Sequence, residues 1–131
     1  MQAEQKLSST PAAALSDYDA IKETIQHYIA GGKTGNTAEM KLAFHKDATI
    51  FGYIGPDLTA GPIQGLFNWN DQNGAATELE GRVTSIDLVG SVATARIELD
   101  NWSGHRFTDF FTLLKVDGEW KIINKVFYLH P

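Results

Sequence analysis

The residue best suited to chemistry in this sequence is Asp109, because its carboxylate lies in an otherwise apolar strand face. Asp117-Gly118 joins two alternating runs and is typical of a two-residue hairpin turn. With that turn, Asp109 and Asn124 are the strongly polar residues of the buried face and lie within side-chain reach of each other. The other predicted members of this face are Phe107, Phe111, Leu113, Trp120, Ile122, Val126 and Tyr128.

A carboxylate on such a face has two interpretations. Burial costs several kcal/mol unless the group is paired, hydrogen-bonded or hydrated. In a closed core, Asn124 or a backbone amide would satisfy Asp109. In an open core, Asp109 and Asn124 would both line a cavity between the sheet and the helices. We favour the cavity because helices packed over a curved sheet leave a hollow that aromatic side chains can line. The predicted pocket comprises Tyr28, Tyr53, Trp69, Trp102, Phe107, Asp109 and Asn124.

Two kinds of catalysis fit these residue types. Asp109 could act as a general base while Tyr28 or Tyr53 donates to a developing oxyanion, as in ketosteroid isomerisation. A dehydratase would instead use a histidine–carboxylate pair, for which His45 is the best candidate, although a histidine between a helix and a strand is more often a surface residue. The four histidines have no metal-ligand spacing, so we expect no metal and no cofactor.

Helices that position these side chains are predicted in the first half of the chain. Apolar residues recur with helical period from Tyr18 to Ile29, with Ser16 as a possible cap and Gly31-Gly32 as a stop. A short helix is predicted to begin at Asn36 or Thr37. A strand over 48–53, a loop over 55–62 and a third helix over 63–71 follow.

From Leu79 onward the apolar period changes to two, which predicts four antiparallel strands over 79–88, 92–101, 105–116 and 119–129. A simple turn at Ser103-Gly104 would place Arg96, Glu98 and Asp100 on the pocket face, so we expect a bulge or longer loop between residues 101 and 106. Helices followed by an antiparallel meander predict an α+β fold.

Composition excludes several functional classes. The 131 residues carry a formal net charge of −5, no cysteine and no basic run, so nucleic acid and anionic membrane surfaces are not expected partners. No apolar stretch approaches a membrane span of about 20 residues. Residues 1–15 are predicted to form a flexible arm without a secretory signal, and residues 16–131 a single domain. A cytoplasmic protein is the expectation.

Three segments carry a resemblance to a known family: RFTD at 106–109, LLKVDGEWKI at 113–122 and NKVF at 124–127. Together with the first helix, the glycine-rich break, Phe44-His45 and Gly61-Pro62-Ile63, they resemble the Putative lumazine-binding family over residues 17–129. That family belongs to the nuclear transport factor 2-like superfamily, with SnoaL-like polyketide cyclases and ketosteroid isomerases. The resemblance implies a cone-shaped barrel of a strongly bent, mainly antiparallel sheet around three N-terminal helices, often dimeric through the sheet, and no settled activity.

The expected function is therefore binding of a small molecule in an apolar, aromatic-lined pocket. The alternative is a cofactor-independent isomerase, cyclase or dehydratase with Asp109 as general base, and a structural dimerisation module is a third possibility if the cavity is filled. The opposite sheet face also carries apolar side chains, which predicts a homodimer through this face. Its predicted members are Arg106, Phe110, Leu114, Lys121, Ile123, Lys125 and Phe127.

Overall fold

A computed structural model describes the backbone of residues 11–131 and the side chains from Leu15 onward. Three helices and six strands make up this part of the chain. The helices are α1 (Pro11–Thr34), α2 (Thr37–Lys41) and α3 (Gln64–Asn73). The strands are β1 (Phe44–Ile54), β2 (Asp57–Pro62), β3 (Glu80–Val89), β4 (Val92–Trp102), β5 (His105–Val116) and β6 (Glu119–Leu129).

The strands form one open sheet in the order β2-β1-β6-β5-β4-β3. Strands β1 and β6 are parallel, and every other neighbouring pair is antiparallel. The inner face of the sheet and the apolar stripe of α1 share one buried core, which contains Ile21, Ile25, Ile97 and Leu113. The α+β class and the mainly antiparallel sheet predicted from the sequence are confirmed.

Helix α1 is longer at both ends than its sequence predicts. It begins at Pro11, so Ser16 lies inside the helix and residues 11–15 are helical, while residues 1–10 of the predicted arm lie outside the described part of the chain. It also continues through Gly31 and Gly32 to Thr34. These glycines allow close packing instead of ending the helix: a Cβ on Gly31 would lie 2.6 Å from Met40 Cβ, and one on Gly32 would lie 2.6 Å from Trp102 Cζ2.

Between the helices, the segment predicted as a loop contains strand β2. Gly55, at φ +58°, turns the chain, and β2 pairs along β1 as an edge strand. Pro62 is compatible with this strand because an edge position does not require its missing N–H on the open side. The prediction of a cap at Asn36 is confirmed, since its side chain accepts a hydrogen bond from Glu39 N–H.

Strands β3 to β6 match their predicted ranges to within one residue at each end. The predicted irregularity before β5 is also confirmed. The register between β4 and β5 shifts between Leu99 and Trp102, and Asn101 adopts a positive φ of 61°. The bulge keeps Ala95, Ile97 and Leu99 on the buried face, which a simple hairpin would have turned outward.

A second bulge, in β6, overturns part of the predicted register. Leu113 lies opposite Ile122, but Thr112 lies opposite Asn124, so Ile123 is an additional residue in β6. Beyond it every side chain changes face. Lys125 and Phe127 are therefore buried, whereas Val126 and Tyr128 are exposed.

The prediction that Asn124, Val126 and Tyr128 belong to the buried face was wrong, as was the assignment of Lys125 and Phe127 to the outer face. Two packing features accompany the change. Lys125 supplies a cation beside the buried carboxylate of Asp109. Phe127 packs over Gly52, where a Cβ would lie 2.5 Å from the Phe127 ring.

Candidate functional site

Three polar side chains meet beneath α1 in an otherwise apolar core. Tyr28, from α1, donates a hydrogen bond of 2.5 Å from its hydroxyl to Asp109 Oδ2 on β5. Lys125, from β6, donates to the same Tyr28 hydroxyl at 2.9 Å. Its Nζ lies 3.8 Å from Asp109 Oδ2, so the phenol connects the amine to the carboxylate. We call these three residues the buried triad.

Burial dominates the protonation of the triad. Tyr28 and Asp109 have no solvent exposure, and Lys125 is 5% exposed. Desolvation raises the pKa of Asp109, although the Lys125 charge and the Tyr28 hydrogen bond act in the opposite direction. Desolvation likewise lowers the pKa of Lys125 against the attraction of Asp109, and it raises the pKa of Tyr28 well above 10.0. Both members of the acid–base pair are therefore shifted toward their neutral forms.

Aromatic rings surround the amine of Lys125. Its Nζ lies 5.0 Å from the ring centre of Tyr28, 5.5 Å from that of Phe127 and 5.7 Å from that of Trp102. The faces of these rings attract a cation. The rings and Asp109 therefore stabilise positive charge at Nζ, in opposition to the desolvation that burial imposes.

A cavity of about 150 Å³ lies between α3, β1, β2 and the inner sheet face. Its wall is almost wholly apolar or aromatic, and Lys125 is the one charged residue among the described residues that line it. Trp102 also lines the cavity, and its Nε1 is buried with no hydrogen-bond partner in the described part of the chain. The lining consists of Ile50, Ile54, Thr59, Gly65, Leu66, Trp69, Trp102, Phe107, Lys125 and Phe127.

The structure brings together only some of the residues predicted for the pocket. Trp69, Trp102 and Phe107 line the cavity. Tyr28 and Asp109 do not line it, and contact Lys125 from the core side.

Three other candidates lie elsewhere. Tyr53 is 60% exposed on the outer side of β1. Asn124 donates to Thr49 Oγ1 at 3.0 Å and makes no hydrogen bond to Asp109, because the β6 bulge turns it away. His45 is half-buried near the start of β1, where its Nδ1 accepts from Asp47 N–H, and it is not among the cavity residues.

Lys125 is the site residue that the sequence reasoning missed. Strict alternation from the Asp117-Gly118 turn assigned it to the outer face, and the bulge at Ile123 reverses that assignment. The available signal was Asp109 itself, because a buried carboxylate requires a cation or donors. Lys125 was the nearest lysine in the facing strand that a shift of one residue could turn inward.

The described residues contain neither a candidate metal site nor a candidate membrane-spanning helix. They contain no group of three or more histidine, cysteine, aspartate or glutamate side chains placed to hold a metal ion. None of their helices is long and apolar enough to cross a membrane. The location of the protein in the cell stays a prediction.

Comparison with known families tests the resemblance noted in the sequence. The model of the family described as Putative lumazine-binding matches residues 16–128. The chain belongs to this family. This chain is therefore a member of the family that combines the buried triad with an apolar cavity.

Relatives of this family member include a curated protein and solved structures. A curated relative, "Aldolase FrzH" from Cladobotryum sp, is 30% identical over 117 residues, which cover 88% of this chain and 94% of the relative. A crystal structure of an NTF2-like protein from Methylobacillus flagellatus KT is 46% identical and has a TM-score of 0.87, with 95% and 97% of the two chains covered. One from Shewanella baltica OS155 is 43% identical with a TM-score of 0.86, covering 95% and 99%. The family member therefore has the nuclear transport factor 2-like fold.

Proposed function

We propose that the protein binds a small molecule in the cavity, with the apolar body of the ligand against the aromatic wall and an acceptor group directed at Lys125. The observation that carries this proposal is that one charged residue, Lys125, lines an almost wholly apolar cavity. Such a combination of apolar walls with a few placed polar groups is typical of small-molecule sites. The unpartnered Nε1 of Trp102 offers a second donor.

The size of the cavity limits the ligand. An apolar protein cavity of about 150 Å³ holds a molecule the size of benzene. The buried part of the ligand is therefore one ring or a short branched chain, and a larger ligand would extend past Ile54 and Gly65, which are exposed at the cavity. An acceptor such as a carbonyl or carboxylate oxygen suits the lysine amine.

Catalysis on a carbonyl compound is the second candidate function. Two observations favour it: the curated relative is named an aldolase, and the buried triad can move a proton between Lys125 and Asp109 through Tyr28. An isomerase, cyclase or dehydratase would use the same proton movement. Because Asp109 does not line the cavity, the residue that meets the substrate in this proposal is Lys125, and Asp109 acts through it.

Binding can be tested with acetophenone, a single ring bearing a carbonyl, and with ethylbenzene, which lacks the acceptor. We expect acetophenone to raise the melting temperature of the protein, because a ligand at a hundred times its Kd stabilises the folded state by about 2.7 kcal/mol. Ethylbenzene should bind at least tenfold more weakly. Equal affinities would contradict the role of Lys125, and no binding of either compound would contradict the site.

A variant that blocks the cavity supplies the control. Gly65 lies one turn before Trp69 on α3, lines the cavity, and has open space where a Cβ would stand. Gly65→Leu should therefore fold at least as stably as the wild type, since leucine favours a helix over glycine, and lose acetophenone binding by at least tenfold. Gln64→Leu, an exposed neighbour outside the cavity, should bind normally.

We also propose that the protein is a homodimer through the outer sheet face. Phe51, Val126 and Phe110 lie side by side on β1, β6 and β5, and Tyr53 lies beside Tyr128. All five are between 42% and 60% exposed, which is a contiguous apolar patch unusual for a monomer. Of the set predicted from the sequence, Phe110 belongs to this patch, whereas Lys125 and Phe127 are buried.

We expect light scattering at micromolar concentration to give the mass of a dimer. Val126→Lys should give a monomer, because the charge would lie at the centre of the patch and face its own copy across a two-fold axis. Val92→Lys is a matched control on an exposed valine outside this patch. A monomeric wild type would contradict the proposal.

A further inference from the structure

We propose that Lys125 is a nucleophile that forms a covalent imine with an aldehyde or ketone bound in the cavity. The inference rests on the proposed function and adds the substrate class, a carbonyl compound, and the atom that reacts, Lys125 Nζ. Its basis is the position of Lys125: the residue lines an apolar cavity, its amine lies among three aromatic rings, and Tyr28 joins that amine to a buried carboxylate.

A reactive lysine needs a neutral amine, and the site offers a route to one. The Lys125 ammonium donates to the Tyr28 hydroxyl, which in turn donates to Asp109 Oδ2. If Nζ passes a proton to Tyr28 while Tyr28 passes its own to Asp109, the result is a neutral amine, an unchanged phenol and a carboxylic acid. Desolvation favours this neutral pair over the separated charges, since it lowers the pKa of Lys125 and raises that of Asp109.

Imine formation requires only the buried triad and the bound carbonyl compound. The Nζ lone pair attacks the carbonyl carbon, and the C=O electron pair moves to oxygen, which takes the proton held by the triad. The carbinolamine then loses its hydroxyl with a proton from nitrogen, as water, while the nitrogen lone pair forms the C=N bond. Overall, an ammonium ion and a carbonyl compound give a protonated imine and one water, with no oxidation or reduction.

The surroundings of Nζ suit the product as well as the reactant. A protonated imine carries its positive charge at the position that the Lys125 ammonium occupied. Asp109 Oδ2 lies 3.8 Å from that position, and the ring centres of Tyr28, Trp102 and Phe127 lie 5.0–5.7 Å from it. The same anion and aromatic faces therefore stabilise the iminium charge.

Reductive trapping tests this inference on the whole wild-type protein. The protein is incubated with benzaldehyde and sodium cyanoborohydride near neutral pH, digested, and analysed by mass spectrometry for the benzyl group. We expect Lys125 to be labelled at least tenfold faster than exposed lysines such as Lys46, whose side chain is 82% exposed. Benzyl alcohol, which has no carbonyl, should protect Lys125 by occupying the cavity.

The controls separate this inference from the proposed function. Gly65→Leu should abolish labelling of Lys125 and leave that of Lys46 unchanged. Binding of benzyl alcohol to the wild type is measured by a thermal shift, which Gly65→Leu should remove. If benzyl alcohol binds but Lys125 is labelled no faster than Lys46, imine formation is overturned and the binding site stands. If benzyl alcohol and benzaldehyde both fail to bind, the proposed function fails with it.

Discussion

Replacing Asp109 with asparagine is expected to lower the free energy of unfolding by about 3–5 kcal/mol at neutral pH. Asp109 is fully buried and accepts from the Tyr28 hydroxyl beside the Lys125 amine, and removal of one partner from such a buried pair costs about this much. Asparagine still offers an oxygen to the Tyr28 hydroxyl but cannot take up a proton from it, so the loss comes mainly from the acid–base pairing with Lys125. Urea unfolding of both proteins measures the difference.

The Asp87→Asn variant is the matched control for this prediction. Asp87 is an exposed aspartate on β3, and its replacement should change stability by no more than about 0.5 kcal/mol. In a double-mutant cycle, Asp109→Leu combined with Lys125→Met should cost clearly less than the sum of the two single changes, because neither member of the pair is left buried without the other. Additive losses would show that the two residues are not coupled, which would contradict the buried triad.

The pH dependence of Asp109→Asn follows from the direction of the carboxyl shift. Burial raises the pKa of Asp109 above its ordinary 3.8, so the folded state holds this proton more tightly than the unfolded state. The stability contributed by that proton is complete below about pH 3.9 and is lost as pH rises through the raised pKa. The Asp109→Asn variant should lack this loss. The wild type should therefore lose stability relative to the variant as the pH rises through the raised pKa of Asp109.

Trp102→Ala is expected to lower the free energy of unfolding by a similar amount, about 3–5 kcal/mol. Trp102 is 2% exposed, and its ring centre lies 5.3 Å from that of Tyr28 and 5.9 Å from that of Trp69. Its benzo edge also fills the space opposite Gly32. Denaturant unfolding tests the loss, and Trp69→Ala, at a half-buried residue of the same cavity, should cost less.

The Trp102→Ala variant should also change which ligands the cavity accepts. Removal of the indole enlarges the space beside Lys125, so the variant should bind 2-acetylnaphthalene, a two-ring ketone, more tightly than the wild type does. Unchanged selectivity between acetophenone and 2-acetylnaphthalene would contradict the assignment of Trp102 to the ligand wall.

The sequence predicted the strands and the buried carboxylate because both depend on local patterns. Alternation gave β3 to β6 almost residue by residue, and the same alternation placed Asp109 inside. The cavity residues Trp69, Trp102 and Phe107 were predicted because large aromatic side chains on inward positions tend to line such hollows.

The parts that were wrong depend on contacts distant in sequence. The extra residue Ile123 in β6 is compatible with the local pattern in either register, and what distinguishes the two is the pairing of Lys125 with Asp109 and of Phe127 with Gly52. Gly31 and Gly32 read locally as a helix stop, yet they lie within α1 because Met40 and Trp102 approach them closely. A single residue of register therefore decided which polar group faces the cavity.

The central claim is that the cavity is a ligand site with Lys125 as its polar group. A crystal structure of the protein with benzyl alcohol, which cannot form an imine, tests this most directly. We predict the ring against Trp102 and Phe107 and the hydroxyl oxygen within about 3 Å of Lys125 Nζ, the distance of a hydrogen bond. A ring bound only on the outer sheet face, or one in the cavity with its hydroxyl turned away from Lys125 toward the mouth, would contradict the claim.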